Sequence, residues 1–171
     1  WWDAITYCNK RSRKEGKTPC YNVKRGKCNF NANGYRLSTE AEWEYAAKGG
    51  FKSKGFRYSG SDSVDDVGWH YENSGGKPHK VGTKKPNELG IYDMSGNVFE
   101  WCNDTWNGNN YSSRIRNNPK GSPEGSDRIR RGGCYYSIIS HQRSAFRFWF
   151  KATGKTSLWL YSRWRRKSKN S

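Results

Sequence analysis

Two carboxylates, Asp93 and Glu100, bracket a Gly-Asn turn in the segment that runs from Asn87 to Trp101. The segment is too irregular for one face of a helix and too polar for a buried parallel strand. The pattern indicates a turn that encloses a bound group. The alternative is that the two carboxylates only cap turns and accept backbone N–H hydrogen bonds.

A second group of residues that could bind something lies in the sixteen positions from 135 to 150, where aromatic rings alternate with serine and arginine. Rigid rings supply contact area at little cost in conformational entropy, and small hydroxyl groups adapt to a partner. The alternative is that alternate rings, such as Tyr135, Phe146 and Phe148, form core, and about half of the rings are expected to do so. His141 is expected to be a surface or core side chain and not a metal ligand. The predicted ligand-binding residues are Tyr135, Tyr136, Ile138, His141, Phe146, Phe148 and Trp149.

The five cysteines, at positions 8, 20, 28, 102 and 134, form no C-x-x-C pair and no zinc-type spacing. Because their number is odd, at least one thiol stays unpaired within a monomer. Cys8 and Cys20 could close a loop in an oxidising compartment, and buried free thiols fit the sequence equally well. The cysteines do not decide the compartment, and the expectation is the cell envelope or the extracellular space before the cytoplasm.

The net charge of +17 suggests nucleic-acid binding, but the charge is unevenly distributed. No acidic residue follows Asp127, whereas 12 of the 32 basic residues do; the first 127 residues carry 20 basic against 15 acidic side chains. The excess therefore belongs to a tail, and an evolved nucleic-acid site is not expected. A rival hypothesis is that residues 163–169 bind an anionic polymer. No apolar run is long enough to predict a membrane span.

The elements that must position these groups are short. The length of 171 residues suits one domain, and nineteen glycines with few aliphatic residues favour many turns over a helical bundle. One helix is predicted from Trp2 to about Gly16. A second helix is predicted after Thr39, which forms a capping box with Glu42. The buried face of this helix is Trp43, Ala46 and Ala47, and the helix ends at Gly49.

Strands are predicted over 128–134, running into a Gly-Gly turn, and over 143–150, where basic and apolar residues alternate. Residues 17–34 are predicted to form a long surface loop. Residues 51–85 are rich in Gly, Ser and Asp, and their expected anchors are Tyr58, Val67 and Trp69.

Several of these segments together resemble the formylglycine-generating enzyme domain family, also called sulfatase-modifying factor domains. They follow the family's order over about residues 2–147, and so many in register make the resemblance specific. It implies an α+β fold, an irregular variant of the C-type lectin fold with two main helices, short antiparallel strands and long loops. One such domain would span 1–171 without the family's opening segment. The matching segments are 2–4, 7–9, 35–47, 81–82, 86–87, 89–101, 128–133 and 143–147.

The resemblance implies a calcium site in the run from Leu89 to Trp101. Matched residue by residue, the ligands would be the carboxylates of Asp93 and Glu100 and the backbone carbonyls of Gly96 and Val98. Calcium is a hard cation that takes several oxygen ligands in mixed geometry, so this set suits it. The family's other calcium site has no visible counterpart in the short stretch 73–81.

The resemblance also locates the positions of the family's copper site. Family enzymes oxidise a substrate cysteine to formylglycine with a copper ion held by two cysteines five residues apart, just past the Arg-Gly-Gly turn. Soft thiolates suit Cu(I). Here those two positions hold Ser137 and Gln142, and Cys134 directly follows Gly-Gly. Copper is therefore not expected.

Non-enzymatic relatives, including the variable proteins of diversity-generating retroelements, place their hypervariable binding residues in this same C-terminal stretch. The resemblance thus implies a non-catalytic domain that binds an unknown protein, peptide or surface ligand. The alternative is a sulfatase-modifying oxidase whose thiols come from elsewhere, for example Cys134 with Cys102.

The last residues, 152–171, form an atypical basic tail in place of the Gly-Phe-Arg strand with which family members close. A change of reading frame near Gly154 would account for the lost strand, the absence of acids and the basic ending. The tail is then predicted to be disordered or poorly packed.

Overall fold

The structure, a computed structural model, describes residues 1–106, 108, 118–121 and 125–152. Nearly all of the predicted basic tail, residues 153–171, and residues 107, 109–117 and 122–124 therefore lie outside the described residues. The helices are α1 (Trp2–Lys14), α2 (Glu40–Ala47) and α3 (Val64–Val67), with 3-10 turns at Gly50–Lys52 and Ile139–Gln142. The strands are β1 (Tyr21–Asn22), β2 (Lys27–Cys28), β3 (Glu100–Trp106), β4 (Asp127–Arg131) and β5 (Phe148–Lys151).

Helix α1 forms where its apolar stripe predicts it. Ile5 and Cys8 are buried one turn apart, and Asp3 in the first turn and three basic residues in the last turn complement the helix dipole. The Ser12 hydroxyl donates to the Cys8 carbonyl and accepts the backbone N–H of Tyr35. The segment after the helix is thereby tied to its C-terminal half.

The prediction of a plain surface loop over 17–34 was wrong. This stretch contains the antiparallel pair β1–β2, in which Tyr21 faces Cys28. Cys20 and Tyr21 are both buried. The sequence did not signal this hairpin because each strand is only two residues long and its burial depends on α1.

Helix α2 begins directly after Thr39 and ends before Gly49, as predicted. Trp43, Ala46 and Ala47 are buried, and Gly49 has a φ of 87°, the left-handed conformation that glycine adopts readily. An aspartate on β3 adds a cap that the sequence did not reveal, because Asp104 Oδ2 accepts the backbone N–H of Glu40 at 2.9 Å.

Three strands form the larger sheet in the order β3-β4-β5. Strand β4 runs into Gly132 and Gly133, both at positive φ, which confirms the predicted strand and Gly turn. The predicted strand over 143–150 was only partly right, since β5 begins at Phe148. Residues 139–146 turn instead, because the Phe146 N–H bonds back to the Arg143 carbonyl.

The chain divides into two compact units, each assembled from separated segments. Of the described residues, the first unit comprises 1–41, 101–106, 108, 118–121, 125–129 and 149–152, and its core contains Trp1, Ile5, Cys8, Cys20 and Tyr21. The second comprises 42–100 and 130–148, and both groups of residues with predicted chemistry fall in it, apart from Trp149. In this second unit Tyr58 and Val67 are buried as predicted, and Trp69 is partly buried.

None of the helices in the described part of the chain is long and apolar enough to cross a membrane.

Candidate functional site

The predicted metal turn is a tight loop that glycine and asparagine make sterically possible. Asp93, Gly96 and Asn97 all have positive φ. A Cβ on Gly96 would lie 2.3 Å from the Trp69 carbonyl oxygen, so no other residue fits at position 96. The Gly96 N–H also donates to the Gly132 carbonyl at 2.7 Å, which joins this loop to the Gly-Gly turn after β4.

The two carboxylates of the turn are buried, and each accepts a hydrogen bond. Asp93 Oδ2 accepts the Gly82 N–H at 2.7 Å, and Glu100 Oε2 accepts the Trp43 indole N–H at 2.6 Å. Burial raises the pKa of Asp93, while hydrogen bonds from Gly82 and from the Asn97 side chain oppose that rise. Asp93 therefore does what the turn-capping alternative requires, whereas this bond of Glu100 comes from a side chain.

The donor set named by the resemblance fits a hard cation in kind. It consists of oxygens alone, two from carboxylates and two from backbone carbonyls, and it contains no soft ligand. Within the described residues no three His, Cys, Asp or Glu side chains form a metal-holding group. Any cation at this turn would thus depend on the carbonyls of Gly96 and Val98, and the Gly96 carbonyl already accepts the Val98 N–H at 2.8 Å.

Asn97 connects this turn to the segment that carries the aromatic residues. Its Oδ1 accepts the His79 N–H at 2.9 Å, and its Nδ2 donates to the His79 carbonyl at 3.0 Å. Its own carbonyl accepts the Tyr135 N–H at 2.8 Å. Ser74 fixes Tyr135 from the other side by donating its hydroxyl to the Tyr135 carbonyl at 2.8 Å. The first residue of the predicted binding surface is therefore held at both backbone groups.

The two positions that correspond to the family's copper cysteines lie side by side in a closed, buried cluster. Gln142 Nε2 donates to the Cys134 carbonyl at 3.0 Å and approaches the Ser137 carbonyl at 3.5 Å. The Ser137 hydroxyl accepts the Cys134 N–H at 3.1 Å and lies 3.2 Å from the Cys134 sulfur. The side chains of Ser137 and Gln142 stand where a pair of thiolates would have to converge, and both are hydrogen-bonded to the backbone of Cys134.

The predicted binding residues separate into exposed and packed groups. Tyr136 and Ile138 expose 64% and 55% of their surface, and Tyr135 is partly buried beside Tyr136. His141 and Phe146 stack on each other with ring centroids 4.2 Å apart. Within the second unit the exposed part of the predicted surface is thus its beginning, around Tyr136, while Trp149 in the first unit is also exposed.

The later rings are engaged in packing. Phe148 is partly buried against Phe99, and the guanidinium of Arg130 lies over both rings. Burial lowers the pKa of Arg130 to about 10. Trp149 belongs to the first unit, where it stacks on Trp106 at 4.2 Å. The structure therefore does not assemble all seven predicted residues within one unit.

Tyr71 is the residue of this surface that the sequence did not indicate. It exposes 56% of its surface, and its ring meets Tyr136 edge to face at 5.5 Å. Its backbone N–H donates to the Ser137 carbonyl at 3.0 Å. No local signal separates Tyr71 from other aromatic residues in loops, because its role depends on contacts with Tyr136 and Ser137, which are more than sixty residues away in the sequence. We call Tyr71, Tyr135, Tyr136 and Ile138 the tyrosine face.

Comparisons with known proteins agree with this architecture. A family model for the sulfatase-modifying factor enzyme 1-like domain matches residues 1–158. The chaperone protein LppX of Paenibacillus barcinonensis is 39% identical over 90% of this chain and 63% of its own length. The formylglycine-generating enzyme of Bos taurus is 34% identical over 67% of this chain and 33% of its own length.

Among solved structures, Treponema denticola variable protein 1 matches with a TM-score of 0.79 and 31% identity over 88% of this chain and 63% of that protein. CarF matches with a TM-score of 0.68 and 31% identity over 88% of this chain and 60% of that chain. The chain thus spans less than two thirds of the relatives it matches, with an α+β fold of the C-type-lectin-like kind. It belongs to the sulfatase-modifying factor enzyme 1-like domain family.

Proposed function

We propose that this chain is a non-catalytic ligand-binding domain of its family and that the tyrosine face binds its partner. The observation that carries the proposal is the cluster of Cys134, Ser137 and Gln142. A hydroxyl and an amide cannot replace two thiolates as Cu(I) ligands. Both are buried and already hydrogen-bonded to the backbone around Cys134.

The rival function is copper-dependent oxidation of a substrate cysteine to formylglycine. It would need a thiolate pair that includes Cys134, whose sulfur is buried and contacts the Ser137 hydroxyl. The family's copper site requires two thiolates. Cys134 alone does not supply the second.

The tyrosine face has the properties of a preorganised binding surface. The ring of Tyr136 meets the rings of Tyr71 and Tyr135 edge to face. Hydrogen bonds fix the backbones of Tyr71 and Tyr135. A ring held in place before binding loses little entropy when a partner covers it. The partner would be a protein, a peptide or another surface-displayed ligand that offers apolar area and hydrogen-bonding groups.

Calcium is the cofactor that we propose for this domain, with a structural role. The ligands would be Asp93, Glu100 and the carbonyls of Gly96 and Val98. When bound, the ion would supply positive charge between two buried carboxylates. Through Asn97 the stiffened turn would hold His79 and Tyr135, so the ion would support the tyrosine face without touching a ligand there.

Copper titration with a cysteine-containing peptide tests the proposed function. The full chain is mixed with Cu(I) under competition from a chromogenic chelator, and oxygen uptake is followed after the peptide is added. We expect no stoichiometric copper binding and no oxygen uptake above the rate of free copper. One equivalent of tightly bound Cu(I) together with turnover would overturn the non-catalytic assignment.

A further inference from the structure

Three of the five cysteines take no part in the proposed function and meet in the core of the first unit. Cys8 on α1 and Cys20, directly before β1, are buried in the same apolar cluster. Cys28 on β2 is half-buried and packs against that cluster. None of the three is part of a disulfide in the structure.

Hydrogen bonds fix the helix beside the hairpin at the point where two of these thiols lie. Asn9 Nδ2 donates to the Tyr21 carbonyl at 2.7 Å, and Asn9 Oδ1 accepts the Tyr21 N–H at 3.0 Å. Cys8 precedes the first of these residues, and Cys20 precedes the second. A pair of buried hydrogen bonds thus joins the residue after Cys8 to the residue after Cys20, and both cysteines belong to one core cluster.

The neighbouring thiols also influence the ionisation of Cys8. Burial raises the pKa of Cys8 to about 11, and the nearby sulfurs of Cys20 and then Cys28 add to the rise. Cys8 is therefore a thiol at neutral pH and a slow nucleophile. Cys28 is the most exposed of the three and is the one that a solute reaches first.

We propose that Cys8 and Cys20 form a disulfide that ties α1 to the β1–β2 hairpin, and that Cys28 is the thiol through which oxidation begins. With glutathione disulfide as oxidant, the Cys28 thiolate forms a mixed disulfide and releases one glutathione thiolate. Cys20 then displaces the second glutathione from Cys28, and Cys8 finally displaces Cys28 from Cys20. Overall, the thiol protons of Cys8 and Cys20 pass to the two glutathione thiolates. One protein S–S bond remains, and glutathione leaves as two thiols.

Burial favours the Cys8–Cys20 pair as the final product. A disulfide inside the apolar cluster is shielded from the reductant, whereas any pair that includes the half-exposed Cys28 stays open to further exchange. Cys28 is again a thiol at the end of the exchange reactions. An odd number of cysteines in the cluster is therefore consistent with a single stable bond.

The test is oxidation of the full chain with glutathione disulfide, followed by alkylation, digestion without reductant and mass spectrometry. We expect a peptide that links Cys8 to Cys20, with Cys28, Cys102 and Cys134 alkylated after unfolding. We also expect the melting temperature to exceed that of the reduced chain by roughly 5 to 10 °C. A dominant link that includes Cys28, or no intramolecular link after full oxidation, would overturn the proposal.

Two variants separate the roles within the cluster. Cys20→Ser should abolish both the linked peptide and the redox-dependent shift in melting temperature. Cys28→Ser should slow formation of the Cys8–Cys20 link several-fold and leave its final yield unchanged. Cys102→Ser is the matched control, because Cys102 is buried in the same unit outside the cluster, and it should change neither the rate nor the yield. If Cys28→Ser forms the link at the wild-type rate, the entry role of Cys28 is wrong.

Discussion

Asn97 binds His79 through both ends of its side-chain amide, accepting the backbone N–H at 2.9 Å and donating to the backbone carbonyl at 3.0 Å. Asn97 itself is buried and has a φ of 61°. One side chain in a left-handed turn thus replaces a backbone partner for a residue that lies eighteen positions away. The same residue holds Tyr135, so the metal-type turn and the tyrosine face share one support.

Replacing that amide should loosen the loop around His79. We expect Asn97→Ala to lower the free energy of unfolding by about 2 to 4 kcal/mol, because two buried hydrogen bonds are lost and alanine disfavours positive φ. Amide hydrogen exchange should accelerate at His79 and Gly82. Asn31→Ala, at an exposed asparagine, should change stability by less than about 0.5 kcal/mol. Unchanged exchange at His79 would contradict the proposed support.

The calcium proposal predicts a stability difference that depends on the ion. Glu100→Gln keeps an acceptor for the Trp43 indole and removes the charge, so it should cost little in a chelating buffer. In calcium at about 100 times its dissociation constant, the wild type should gain about 2.7 kcal/mol and the variant much less. Thermal unfolding in the two buffers measures this. Equal losses in both would favour the capping alternative.

Restoring thiols at the two copper positions should create a copper site. Because Ser137 and Gln142 both bond around Cys134, the double variant Ser137→Cys/Gln142→Cys, made in a Cys134→Ser background that removes the third thiol, should bind one Cu(I) tightly, whereas either single variant in that background should not. Competition with a Cu(I) chelator provides the readout. If the double variant competes no better than the wild type, positions 137 and 142 do not form the predicted pair.

The exposure of the tyrosine face predicts small effects on stability. Tyr136→Ala and Tyr71→Ala should each change the free energy of unfolding by no more than about 0.5 kcal/mol. Tyr58→Ala, at a buried ring, should cost about 3 to 5 kcal/mol. Urea unfolding compares the three. A loss at Tyr136 as large as that at Tyr58 would mean that its ring serves the core and not a partner.

The ion pair between the partly buried Glu44 and the buried Arg131 predicts a pH dependence. Burial, the largest single influence, raises the pKa of Glu44, but Lys48 and Arg131 together bring it below the ordinary value of 4.5. The stabilisation by Glu44 is therefore complete above about pH 4.5 and is lost as pH falls through the lower folded value. Urea unfolding from pH 7 to pH 3 should show a weaker acid dependence for Glu44→Gln. The same slope in both proteins would exclude the pair as its cause.

The sequence determined the elements whose signals are local. Helix α1 and helix α2 follow from apolar spacing with a stop at Gly49, and β4 follows from its run into Gly-Gly. The sequence also showed that Ser137 and Gln142 stand in place of the two cysteines. That comparison needs only an alignment of the family's motif on the neighbouring Arg-Gly-Gly residues. The family and its α+β fold came from the same registered motifs.

Tertiary structure decided the features that join distant segments. The two-residue hairpin around Tyr21 is stable only because Asn9 bonds it, and the turn at 139–146 replaces part of a predicted strand. Tyr71 meets Tyr136, and Asn97 meets His79, across gaps in sequence that no periodicity spans. The physical reason is that a buried polar group must find a partner wherever the fold brings one, whereas propensity and spacing report only on neighbours along the chain.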